Sequence, residues 1–111
     1  MILVLQDDGC VHAFDGLADV IMQVEGLDAE DTLRAVFDDR GQRYTIRWLT
    51  PNRRSRPFLG VAAVESGEYI LESEGAPDPG ALLRVLQETA MVLPFERERA
   101  VRALQRRLEG G

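Results

Sequence analysis

Residues 33–49, LRAVFDDRGQRYTIRWL, decide how the chain is read. Leu33, Ala35 and Phe37 alternate with Arg34 and Val36. After a polar interval, Tyr44, Ile46 and Trp48 alternate with Arg43, Thr45 and Arg47. A period of two belongs to a strand with one buried and one wet face. The interval from Asp38 to Gln42 carries its glycine late, which suits a type I turn followed by a left-handed residue. The stretch is therefore predicted as a β-hairpin. Its second strand sends Tyr44, Ile46 and Trp48 inward and Arg43, Thr45 and Arg47 outward.

Upstream, Ile2–Leu5 and Cys10–Phe14 read as two strands joined by the turn signal Asp7-Asp8-Gly9. Asp15 is placed to cap a helix with Asp19 in its first turn, where the helix dipole favours acids. Leu17, Val20, Ile21 and Val24 form its buried stripe, and Gly26 is placed as its C-cap. Residues 27–31 are a link. Downstream, residues 50–57, TPNRRSRP, read as a loop. Residues 58–64 and 68–73 pair across Ser66-Gly67 as a further hairpin. Asp78-Pro79 starts a helix with an acidic cap and a proline at its first position, and Leu82, Leu83, Val85, Leu86 and Thr89 give it a face. Pro94 interrupts, and Glu96–Leu108 form a last helix with Val101, Leu104 and Leu108 apolar. The order ββαββββαα predicts one α+β domain over residues 1–111. Its antiparallel sheet has about six strands in hairpins, with the helices on one face.

Composition agrees with a globular domain: 45% of residues are apolar and 29% charged. No stretch approaches the ~20 apolar residues of a membrane span. Leu3–Leu5 are too few apolar residues, and too quickly followed by Asp7 and Asp8, to read as a signal peptide. The lone Cys10 cannot form an internal disulfide, so the cytoplasm is the expected compartment. The net charge of −6 is unevenly spread: residues 1–33 carry −8, 34–60 carry +5, 61–90 carry −5 and 91–111 carry +2. Such segregation either steers a partner or is neutralised between segments in the fold.

No constellation specifies a reaction. Cys10 and His12 share a strand face, as a thiol and a base or as two metal ligands would, but no further Cys or His completes a zinc site. The acid pairs Asp7-Asp8, Glu30-Asp31 and Asp38-Asp39 fall where turn chemistry explains them. No phosphate-binding glycine motif or nucleophile elbow is present. No catalytic residue, metal or cofactor is expected, and the chain is read as a non-enzyme.

Two charged surfaces are left. Arg43, Arg47, Arg53, Arg54 and Arg56 lie near Tyr44 and Trp48, as in proteins that hold single-stranded nucleic acid. Nucleic acid is nevertheless disfavoured, because the aromatics point to the core and the chain is acidic overall. Asp7, Asp8, Asp19, Glu25, Asp28, Glu30 and Asp31 form the other surface, suited to capturing a basic protein.

The run VHAFDGLADVIMQVEGLDAEDTLRAVFDDRGQRYTI, residues 11–46, has a helix entered through Phe-Asp and a strand ending in an acidic turn. In its order of elements, residues 1–48 resemble small immunity proteins of bacterial polymorphic-toxin and contact-dependent inhibition systems. The resemblance implies a small, acidic, cytoplasmic, non-enzymatic protein that binds one cognate toxin domain and neutralises it. No site residue is carried over, because no motif aligns. The alternative is a small nucleic-acid-binding regulator using Arg43–Arg56. An exposed strand edge also leaves a homodimer open.

Overall fold

A computed structural model describes residues 1–54 and 64–110. The fold is α+β, with a six-stranded, mostly antiparallel sheet and four helices. Strands β1 (Ile2–Gln6), β2 (Val11–Phe14) and β3 (Leu33–Asp38) form its centre. β1 pairs antiparallel with both neighbours, so that Val4 faces His12 on one side and Val36 on the other. β4 (Arg43–Thr50) follows β3, and β7 (Glu68–Glu74) closes that end of the sheet. β8 (Val92–Leu93) closes the other end, parallel to β2. β5 (Arg53–Arg54) and β6 (Val64–Glu65) form a separate two-stranded ribbon.

The central turn forms as its sequence dictates. Gly41 takes a positive φ of 87°, and the Asp38 N–H donates to the Gln42 carbonyl at 3.0 Å. The buried Asp38 carboxylate accepts the N–H groups of Arg40 and Gln42 at 2.9 and 3.0 Å, which fixes the turn from inside. The turn docks on α3 (Pro79–Glu88), where the Asp78 N–H donates to the Gly41 carbonyl at 2.9 Å. Asp78 caps α3 by accepting the Ala81 N–H at 3.0 Å, with Pro79 at the first position.

The helices occupy both faces of the sheet, not one. β1 is apolar at both parities. Ile2 and Val4 join Val36, Phe14, Tyr69 and Leu71 beneath α1 (Leu17–Gln23) and α2 (Gly26–Thr32). Leu3 joins Val11, Ala13 and Phe37 beneath α3 and α4 (Glu98–Gly110). A central strand covered on both sides reads as a continuous apolar run, and ILVL is such a run.

Four further expectations are corrected. Gly26 does not end the first helix; Val24 does, and Gly26 opens α2, so residues 27–31 are helical. Asp15 is not the cap of α1; Gly16 holds that position, and its N–H donates to the Asp19 carboxylate at 3.2 Å. β7 pairs with β4 along most of its length, Ile46 facing Leu71 and Trp48 facing Tyr69. The strand placed at residues 58–64 lies mostly outside the described residues. Trp48 keeps 37% of its surface exposed and meets Tyr69 edge to face, 5.5 Å between ring centres. The interruption at Pro94 holds: β8 precedes it and a short 3₁₀ turn, Phe95–Arg97, follows it.

Candidate protein-binding face

The layer formed by α1 and α2 takes nearly all of the acidic N-terminal third. Residues 15–31 contain Asp15, Asp19, Glu25, Asp28, Glu30 and Asp31 and no basic residue. Each helix begins with acids suited to its dipole: Asp19 in the first turn of α1, Asp28 in that of α2. The Asp7 N–H donates to the Thr32 carbonyl at 2.9 Å, which seats the exposed Asp7-Asp8 turn against the C-terminal end of α2. Six separate stretches of acid in the sequence thus reach one layer and its border.

The acids differ in what they do there. Asp15 pairs with Arg97, and Asp19 binds its own helix start. Glu30 accepts from the Asn52 amide, and Asp8 accepts the Cys10 N–H at 2.9 Å. Among the described residues, Asp7, Glu25 and Asp28 meet no cation. Near the end of α1, Met22 is 79% exposed, beside the exposed Ala18 one helical turn earlier. Met22 falls off the stripe Leu17–Val20–Ile21–Val24, so its exposure was readable from helical spacing.

Two concavities flank α1. The first, of about 520 Å³, is lined by residues including His12, Phe14, Asp15, Asp19, Gln23 and Arg97. His12 Nε2 is shut off from solvent and has no hydrogen-bond partner among the described residues. The second, of about 480 Å³, lies between the end of α1, the start of α2 and the β4–β7 pair. It is lined by Ile21, Glu25, Gly26, Leu49, Glu68 and Tyr69 together with Ser66 and Gly67. Its floor is a close backbone approach: a Cβ on Gly26 would stand 2.4 Å from the Gly67 carbonyl oxygen. Asn52 locks that approach. Its amide donates to the Gly26 carbonyl at 2.9 Å and accepts the Gly67 N–H at 2.6 Å. Tyr69 is fixed below, its hydroxyl donating to the Val24 carbonyl at 2.6 Å; burial pushes its phenol pKa upward and keeps it neutral. Sequence reasoning missed this groove, because its walls come from three distant segments.

The arginines of β4 are largely used within the sheet. Arg47 binds Glu72 of β7 at 2.8 Å, and this hydrogen bond followed by the carboxylate charge raises the guanidinium pKa. Arg43 stands opposite Glu74 and lies 5.9 Å from the centre of the Phe37 ring. Arg53 and Arg54 form β5, and Arg56 lies outside the described residues. The structure therefore does not gather the five arginines into one described site.

Cys10 and His12 are not joined by a hydrogen bond among the described residues. Burial, then the charge and hydrogen bonding of Asp8, push the Cys10 thiol pKa up, away from the thiolate that nucleophilic chemistry needs. Among the described residues no three His, Cys, Asp or Glu side chains could share a metal, and no helix is long and apolar enough to cross a membrane. No family model, curated protein or solved structure matches the chain.

Proposed function

We propose that this protein is a non-enzymatic inhibitor of the immunity type, which binds a cognate bacterial toxin domain through its α1–α2 layer and neutralises it. The observation that carries the reading is the company of Met22. Met22 is an exposed apolar side chain on α1, in a layer whose Glu25 and Asp28 are exposed and meet no cation among the described residues. An apolar centre with a charged rim is the usual anatomy of a protein-binding surface, and like-signed charge on the rim speeds association with an oppositely charged partner. The basic alternative loses support, because Arg47 is already paired with Glu72 of β7 and Arg43 stands opposite Glu74. A cytoplasmic setting and a single basic partner domain belong to the same proposal.

The test begins with affinity capture of the tagged full chain from its host, with protein and nucleic acid both quantified. One near-stoichiometric protein with a small basic domain supports the reading. Its affinity is then compared between the native chain and the Glu25→Arg, Asp28→Arg double variant. Asp19 is left intact because it caps α1. A loss of about tenfold or more with a flattened salt dependence is expected. Unchanged affinity and salt dependence would remove the acidic layer from the mechanism. Nucleic acid captured without a protein would move the function to the arginines.

A further inference from the structure

The groove beside α1 has a specific composition. Its apolar walls are Ile21 and Leu49, the latter 57% exposed, and the buried Tyr69 also lines it. Among the described residues, those that line it and carry charge are Glu25 and Glu68, both acidic. Its volume of about 480 Å³ is enough for a side chain and its immediate neighbours. Its floor is already built, since Asn52 holds Gly26 against Gly67. A Cβ on Gly67 would stand 2.1 Å from the Thr50 carbonyl oxygen, so the floor tolerates no side chain there. A groove formed in advance binds without the cost of ordering its own walls.

We propose that this groove receives an extended segment of the protein partner carrying an arginine or lysine. The cation lies at Glu25 and Glu68, and the flanking apolar side chains lie on Ile21, Leu49 and Tyr69. The inference rests on the α1–α2 layer being the partner-binding face, and it names the chemistry of the element that face selects. Charge decides the occupant. Two carboxylates, with no lining cation among the described residues, leave an acidic segment repelled and a neutral one unrewarded, whereas a guanidinium is attracted to them. The Tyr69 hydroxyl does not compete for the cation, because it is committed to Val24.

The isotope-labelled full chain is titrated with the capped peptide Ala-Leu-Arg-Leu-Ala, and amide shifts are followed by NMR. Two control peptides replace the arginine with citrulline or with glutamate. Shifts centred on Ile21, Glu25, Leu49 and Ser66–Tyr69 are expected. Binding should weaken by about fivefold or more with citrulline, and by a similar factor in Glu25→Gln and Glu68→Gln chains that keep the native spectrum elsewhere. Equal binding of all three peptides, shifts elsewhere, or no shifts would overturn the assignment. Concentration-dependent shifts of the same residues without peptide would assign the groove to a second copy of the chain and overturn it too. The two readings separate cleanly. A captured partner that is sensitive at Asp28 but not at Glu68 sinks the groove and leaves the acidic layer standing.

Discussion

The two helical layers lie on opposite faces of one sheet and treat charge in opposite ways. In the α3–α4 layer, cations are bound into the fold. Arg102 donates to the Leu86 and Thr89 carbonyls, which end α3, at 3.2 and 3.1 Å. Arg107 reaches the Asp39 carbonyl at 3.4 Å, and Arg97 crosses to Asp15. In the α1–α2 layer, Glu25 and Asp28 are exposed and meet no cation among the described residues. Both layers bury apolar side chains completely, Val20 on one side and Leu82, Leu86 and Val101 on the other. The difference is therefore not one of packing. Arg97, Arg102 and Arg107 tie one layer to the rest of the molecule, whereas in the other Glu25 and Asp28 are left over.

The comparison breaks first if the cores are unequal. Leu86→Ala should destabilise the chain by about 2–5 kcal/mol in a denaturant melt, since Leu86 is fully buried. Next comes the groove floor. Gly67→Ala forces a methyl onto backbone atoms of Thr50 and Pro51 and should cost about 1–3 kcal/mol. Arg102→Ala leaves the carbonyls at the end of α3 without this donor and should cost about 1–2 kcal/mol, read in the same melt. Glu25→Gln or Asp28→Asn should alter stability by no more than about 0.5 kcal/mol while lowering partner affinity. A large loss of stability there would mean that the acidic layer is structural after all.

Asp38 sharpens the contrast through pH. Burial alone would push its carboxyl up, but the N–H groups of Arg40 and Gln42, with the Arg40 guanidinium, outweigh it and hold the pKa below the ordinary value. A depressed folded pKa stabilises fully above the unfolded value of about 3.9 and loses that contribution as pH falls through the folded one. Acid melts from pH 5 downward should therefore show a loss of stability that Asp38→Asn lessens. An identical acid profile in the variant would remove Asp38 as a contributor.

Much of this architecture was legible where the determinants are local. The turn from Asp38 to Gln42, the Asp78-Pro79 helix start, and the split of Arg43 and Arg47 from Tyr44 and Ile46 all follow from neighbours within a few residues. Pairing between distant strands was not legible. Nothing near Glu68–Glu74 states that it will pair with β4, and two residues at Val92–Leu93 are too few to show a period. The second helix was hidden because Gly26 looks like a terminator, and its role at the Gly67 contact is visible only in space. Of the candidate site, the acids were readable as charge. The groove was not, because Ile21, Leu49 and Tyr69 have no relation in sequence.

Asn52 also bears on the order in which the chain assembles. Its side chain closes one loop of 26 residues to Gly26 and one of 15 to Gly67. Contacts across such separations lose more chain entropy than a hairpin does, so they are expected to form after the transition state for folding. Asn52→Ala should then leave the refolding rate nearly unchanged and accelerate unfolding. The amide acts as a kinetic latch, setting how long the assembled groove persists once it has closed.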